Sequence, residues 1–223
     1  MIEKQQPYKY RVYEEIKGSI LSGEYVPGSI LNERRLSNEM GISRTPVREA
    51  LQMLAQDGWL QTETYKGMIV REFDIKYMHD MLQIRTALEI LAVENAVQNI
   101  TDEKIRKLEA IQKKQTDLLE RYEDNQFILI DREFHSLIYE MSGNTELIQL
   151  LSNYYDMFRF LGMQAVCGSE ERRGTTLLEH KAILNALKER SRDQVVEAMQ
   201  LHMEETEKNI MIRGQMAPEK TMK

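Results

Sequence analysis

The sequence predicts a mainly α chain in two parts: three helices with a β-hairpin, then an all-α bundle of six helices. Three observations predict it. Only four prolines punctuate 223 residues, and long stretches without Pro or Gly favour helix. Apolar residues recur at helical spacing through most of the chain. Two short strand-like segments lie close together, at residues 59–63 and 68–72, and no strand signal follows Asp74.

In chain order, Val12, Ile16, Ile20 and Leu21 mark a first helix over residues 8–21, ended by Ser22-Gly23. Residues 25–29 (YVPGS) read as a turn. A second helix covers about 32–40, with Gly41 as its stop. A third starts at Ser43 or Thr45 and carries Val47, Leu51 and Leu54 on one face. Pro46 falls in its first turn, where a missing N–H costs nothing, and Gly58 ends it. The two strands join at Thr64-Tyr65-Lys66-Gly67. Helix, helix, short turn, helix, hairpin is the order of a winged helix-turn-helix.

In the second part, Asp74 is placed to cap a helix reaching about Ile100, with Met78, Met81, Leu82, Leu88, Leu91 and Ala92 inward. Thr101-Asp102-Glu103 starts the next, which reaches about Tyr122. Helices follow at 125–141, 144–166, 170–188 and 191–212, broken at Ser142-Gly143-Asn144 and Arg190-Ser191. Six such helices make a bundle. The expected divisions are residues 1–72, residues 74–214, and a flexible tail at 215–223.

The net charge of −6 argues against a nucleic-acid binder until its distribution is read. Residues 1–72 hold ten Lys/Arg and ten Asp/Glu, whereas the remainder carries the whole excess of acid. From Arg34 to Arg48 four arginines face one acid, Glu39. A basic patch on a neutral unit suits contact with phosphate. No apolar run approaches membrane-spanning length, and the polar start lacks a secretory core. The single cysteine, Cys167, excludes an intrachain disulfide and points to a reducing cytoplasm.

The segment 41–51 (GISRTPVREAL) carries the first chemistry. Gly41 permits a tight turn between helices. Ser43 and Thr45 can cap the following helix or reach phosphate. Arg44 and Arg48, four apart, share one face at the helix end that enters the major groove in helix-turn-helix proteins. Arginine there can fork onto guanine O6 and N7. Arg34 and Arg35, on the preceding helix, can touch the DNA backbone or help read bases. The plain alternative is a solvated basic face. Against it, residues 10–71 resemble the GntR family of bacterial regulators, through 25–28 (YVPG), 31–37 (LNERRLS), 43–51 (SRTPVREAL) and 54–60 (LAQDGWL). The resemblance implies DNA reading by Arg34, Arg44 and Arg48, with a wing tip at Lys66 and Gly67 entering the minor groove. Asn32-Glu33 departs from the Pro-Ser-Glu or Ser-Glu common in that family.

The second chemistry lies among the four histidines, all after residue 73. Asp131 and His135 are four apart and project from one helix face; His180 and His202 sit on two further helices. One Asp and three His converging in a bundle suit a divalent metal, as imidazole and carboxylate do for zinc, nickel, manganese or iron(II). Taken alone, a helical His near a carboxylate is more often a surface or capping residue. The six helices resemble the FadR-type C-terminal ligand domain (FCD), in its metal-binding branch, and that resemblance implies the set Asp131, His135, His180 and His202, zinc foremost. It also implies that Arg85 faces the cavity as a clamp for an organic carboxylate, with Arg159 as a second candidate and Asn153 and Tyr154 as possible cavity neighbours. Glu89, one turn beyond Arg85, offers it a purely structural partner instead. His79 has no counterpart.

The resulting expectation is a cytoplasmic, homodimeric regulator that binds a palindromic double-stranded operator and answers a small carboxylate beside a metal. Two other readings stay open: a metal-dependent enzyme built on the same Asp/His set, or a purely structural metal. The enzyme reading lacks an independent nucleophile or general base and leaves the winged helix without a purpose.

Overall fold

The computed structural model describes residues 6–121 and 123–216, and the chain divides into two compact units between Phe73 and Asp74. The first unit holds α1 (Tyr8–Leu21), β1 (Ile30–Leu31), α2 (Glu33–Met40), α3 (Arg44–Gln56), β2 (Leu60–Glu63) and β3 (Gly67–Val70). Its core is the helical stripe read from sequence: Val12, Ile16, Ile20 and Leu21 of α1 with Val47, Ala50, Leu51 and Leu54 of α3, closed by Leu36, Trp59 and Leu60. Each fully buried aliphatic side chain contributes about 1.5–3 kcal/mol.

Two caps fix where the reading helices begin and end. Asn32 Oδ1 accepts from the N–H groups of Arg34 and Arg35 and so starts α2. Gly41 takes the left-handed conformation, φ 64°, that closes α2 and is cheap only for glycine. The sheet is antiparallel, in the order β1-β3-β2. Strands β2 and β3 are shorter than expected, although Arg71 N–H still bonds Trp59 C=O at 2.9 Å beyond them. Strand β1 has no counterpart in the sequence reading. It is two residues long, pairs Ile30 with Ile69 and Leu31 with Met68, and is too short to show a period.

The second unit holds α4 (Ile75–Ala96), α5 (Asp102–Asp117), α6 (Asp124–Ser142), α7 (Thr145–Asn153), α8 (Tyr155–Val166), α9 (Glu170–Lys188) and α10 (Arg192–Met216), with 3-10 turns at Val97–Asn99 and Leu119–Arg121. Caps stand where the sequence placed them: Asp74 accepts from Tyr77 N–H and Thr101 from Lys104 N–H. Seven helices replace the expected six among the described residues, because residues 144–166 break at Tyr154 (φ −101°, ψ 8°). No Gly or Pro marks that break. Ser152 Oγ instead bonds the C=O of Ile148 at 2.7 Å, a back-bond that bends helices. The expected tail is also corrected at its start, since α10 continues to Met216; residues 217–223 and Tyr122 lie outside the described residues.

A further correction concerns α4. Leu91 is 39% exposed and Leu88 half-buried, whereas Arg85 and Glu89 are buried. The inward stripe of α4 is therefore partly charged. Helices α4, α6, α5, α9 and α10 pack in that cyclic order, each against the next, with α10 returning to α4 and α8 packing on α6, α9 and α10. Arg85, Asp131, His135, His180 and His202 are all buried in this unit.

Candidate functional site

Three imidazoles meet at the centre of the ring, from α6, α9 and α10. His135 and His180 are fully buried and His202 nearly so. Their rings lie 5.0–5.4 Å apart, centroid to centroid, and one nitrogen from each lies within 4.8 Å of the other two. Asp131, one turn before His135, sits beside them. Its Oδ1 is 3.4 Å from His180 Nε2 and its Oδ2 is 3.9 Å from His135 Nε2.

The protonation pattern follows from the outer partners. His135 Nδ1 faces Glu89 at 3.0 Å, His202 Nδ1 faces Glu179 at 2.7 Å, and His180 Nδ1 faces Gln115 Oε1 at 3.0 Å. A carboxylate only accepts, and the Gln115 amide nitrogen is turned to the C=O of Phe127. Each Nδ1 therefore carries the hydrogen and donates it, which leaves the Nε2 lone pair bare. The Nε2 atoms of His135 and His180 are buried with no hydrogen-bond partner. Bare Nε2 lone pairs turned toward one carboxylate, with Nδ1–H held from outside, form the donor set of a borderline divalent cation. The residues fit such an ion.

Each outer partner is itself held. Glu89, fully buried, accepts from Arg85 Nε at 3.1 Å and Tyr139 OH at 2.5 Å besides His135. Burial alone would push its carboxyl up, but His135, Arg85 and Arg132 hold it well below the usual range. Glu179 receives a fork from Arg172, at 2.6 and 3.1 Å. His180 is stacked on Phe134, centroids 4.2 Å apart. For Asp131, burial raises the pKa, yet His135, His180, Arg85 and His202 together bring it down to about 2. Burial depresses His180 and His202 well below the ordinary imidazole value.

Next to the imidazoles is a cavity lined by Arg85, Asp131, Arg172 and His202, with the Thr176 and Thr206 hydroxyls and a wall of Gly162 and Ala165. About 260 Å³ of non-atom space lies among these residues, part of it open to solvent, and a water centre has only about 10 Å³ to move in, roughly one water's room. Arg85 Nη2 is buried there without a hydrogen-bond partner. Arg159, Asn153 and Tyr154 are not among the lining residues. Arg159 donates to Asn125 Oδ1 at 2.6 Å. His79 pairs with Glu207, away from the imidazoles.

The sequence reading missed Gln115, Arg132, Glu179 and Arg172 as partners. The available signal was a polar residue at an apolar position: fully buried Arg132 gives Nη2 to Tyr139 OH at 3.0 Å and lies against the rings of Tyr155 and Phe158.

The first unit carries the other site. Arg34, Arg44, Lys66 and Gly67 line one open groove between the starts of α2 and α3 and the hairpin. Ser43 stands at the N-cap of α3 but makes no side-chain cap bond, so its exposed hydroxyl remains available, as does that of Thr45. Arg35 pairs with Glu39 at 3.1 Å. Arg48 is engaged by Glu33 through three short contacts. Tyr65, at the hairpin tip, is wholly exposed with φ 68°, a conformation uncommon for a bulky residue.

Comparison with known proteins agrees over both units. Residues 80–205 match the FCD domain, and residues 9–70 match the bacterial regulatory proteins of the gntR family. The chain is 29% identical over 202 residues to the HTH-type transcriptional regulator YdhC of Bacillus subtilis (strain 168), covering 90% of each chain. It is 27% identical over 208 residues to the HTH-type transcriptional repressor RspR of Escherichia coli (strain K12), covering 92% of this chain and 90% of RspR. Among solved structures, E. coli McbR/YncC superposes with a TM-score of 0.75 at 25% identity, over 95% of this chain and 99% of that one.

The depressed histidines make the metal-free protein acid-sensitive. Above the unfolded imidazole value of about 6.5, His180 and His202 are neutral in both states and contribute no pH dependence. Below it the unfolded chain takes up protons that the folded unit refuses, so stability falls with pH, by up to about 1.4 kcal/mol per pH unit for each histidine. In chelator, urea midpoints should be level from pH 8 to 7 and fall steadily from 6.5 to 5. A midpoint that stays level through that window would refute buried, neutral imidazoles.

Proposed function

The chain belongs to the gntR family of bacterial regulatory proteins and carries an FCD domain, which makes it a DNA-binding transcriptional regulator of the GntR/FCD type; from this premise we propose that it answers a small organic carboxylate bound beside a divalent metal. The observation that carries the reading is the set of three Nδ1-anchored imidazoles around Asp131, next to a cavity lined by Arg85, whose buried Nη2 has no hydrogen-bond partner.

Asp131, His135, His180 and His202 would hold the metal, zinc before nickel, manganese or iron, and the metal would supply a Lewis-acidic centre for carboxylate oxygens. Arg85 forks the anion, since a buried guanidinium with spare donors favours a planar anionic partner. The Thr176 and Thr206 hydroxyls flank it. The water-sized cavity must widen for an organic acid, and a ligand that prefers the widened bundle shifts the regulator toward that state.

In the first unit, α3 enters the major groove of a double-stranded operator with Arg44 and Arg48, while Arg34, Arg35, Ser43 and Thr45 meet its backbone and base edges. Lys66 and Gly67 lead the wing into the minor groove. A homodimer reading a palindrome fits the exposed Ile84 and Leu91 on α4, which with half-buried Leu88 offer an apolar stripe to a second copy. No helix among the described residues is long and apolar enough to cross a membrane, and a bacterial DNA reader works in the cytoplasm. Of the two readings left open by the sequence, an enzyme is disfavoured because the relatives are named as transcriptional regulators. A purely structural metal would leave the spare nitrogen of Arg85 without a purpose.

Three outcomes test this reading. Against a duplex selected from random DNA, Arg48→Ala should lose ~1–3 kcal/mol of discrimination, whereas Lys66→Ala should weaken binding to all sequences and flatten the salt dependence. Elemental analysis should find a divalent metal; removing it should lower the melting temperature of the FCD unit by several degrees, since occupancy at a hundred times Kd is worth ~2.7 kcal/mol. His202→Ala should abolish that shift and His79→Ala should not. Finally, Arg85→Lys, which leaves Glu89 a cationic partner, should still bind metal and DNA yet no longer respond when candidate acids are titrated against protein-bound duplex, because a point charge cannot replace the fork. A normal response by this variant removes Arg85 from effector binding.

A further inference from the structure

We infer that Glu33 is the positioning residue of the DNA-reading head: by gripping one edge of Arg48, it leaves that arginine a single, end-on edge with which to meet a base. The inference rests on the base-reading role proposed above for Arg48.

Glu33 is the first residue of α2, and its backbone is anchored by the Asn32 cap on the two residues after it. Its carboxylate reaches across to α3. Arg48 Nε lies 3.1 Å from Oε1 and 3.2 Å from Oε2, and Nη2 lies 3.0 Å from Oε2. A guanidinium carries five N–H groups in a rigid plane. It can present two parallel donors from the Nε/Nη2 side or from the Nη1/Nη2 end. Glu33 takes the side. The end remains, still a fork of the width that guanine O6 and N7 accept. Much of the rotamer freedom of a long side chain is thereby given up before DNA arrives, which lowers the cost of ordering it at the interface.

Two further facts bear on what this pair does. Glu33 lines the same groove as Arg34, Arg44 and Lys66, so an unpaired carboxylate there would repel the phosphates those cations attract. Both side chains are also substantially exposed, 58% for Arg48 and 37% for Glu33, so the contact adds little to the stability of the fold. A direct contact of Glu33 with cytosine N4 is the rival, and the two differ in how the substitutions combine.

The test uses the full chain and a pool of duplex DNA with a randomised core. The wild-type protein selects its preferred duplex. Affinities for that duplex and for an unselected one are then measured for wild type, Glu33→Gln, Arg48→Ala and the double variant, with thermal melts confirming that all are folded. Glu33→Gln should bind the unselected duplex as well as wild type or better, while its preference for the selected duplex drops on the order of ten-fold. The double variant should discriminate no worse than Arg48→Ala alone. If Glu33→Gln keeps full preference while Arg48→Ala loses it, Glu33 does not position the arginine. If the two losses add in the double variant, Glu33 reads a base itself and the inference fails. If Arg48→Ala also keeps full preference, or wild type enriches no sequence, the DNA-reading assignment falls with it.

Discussion

A carboxylate with no access to water organises the interior of the helical unit. Glu89 gathers Arg85, His135 and Tyr139 on its two oxygens, and Arg132 approaches to 4.0 Å. Isolated, such a group would neutralise itself by taking up a proton. Surrounded by cations and donors it stays ionised, and everything nearby then has a defined state. It fixes the tautomer of His135, takes up part of Arg85, and gives Arg132, through Tyr139, a hydrogen-bonded anchor. Removing one member would strand the others in a low-dielectric interior, where breaking a buried pair costs far more than forming it gains. The identity of each residue in this cluster is consequently set by the rest.

Much of this was legible in the sequence, and what was not has a common cause. Boundaries written in local chemistry were read closely: Asp74 and Thr101 as caps, Gly41 as a stop and Ser142-Gly143-Asn144 as a break, where Gly41 and Gly143 both turn out left-handed. Residues 170–188 form one helix as read. Features made by tertiary partners were not. Strand β1 exists because β3 lies beside it. The break at Tyr154 is produced by bonding and packing, with no breaker residue. Leu88 and Leu91 were assigned inward on hydrophobicity, yet the interior facing α4 is polar, so Arg85 and Glu89 took those positions. That Asp131, His135, His180 and His202 come together was legible through spacing and family resemblance. Of their partners, Gln115 stands on α5, apart from all four, and Glu179 stands beside His180 on α9 but serves His202 of α10.

The DNA-reading unit shows a different economy. It has no net charge over residues 1–72, and its acids are placed to constrain its bases: Glu33 on Arg48, Glu39 on Arg35, Glu63 on Lys66. Each pair is exposed and weak as a source of stability. Their effect is on geometry and on non-specific attraction, since every cation matched by an acid reduces the phosphate term that all DNA shares. Arg34 and Arg44 line the groove alongside these pairs.

The near-filled cavity beside the imidazoles has a kinetic consequence. If an organic anion binds there as proposed, a space with one water's room would first have to widen, by a shift of α8, whose Gly162 and Ala165 belong to the lining, against the helices it packs on. Association would then be limited by how often the bundle opens, so the observed rate should level off as ligand concentration rises, well short of the encounter limit. Departure faces the same barrier. A regulator built so would hold its ligand for longer than an open pocket of the same affinity would.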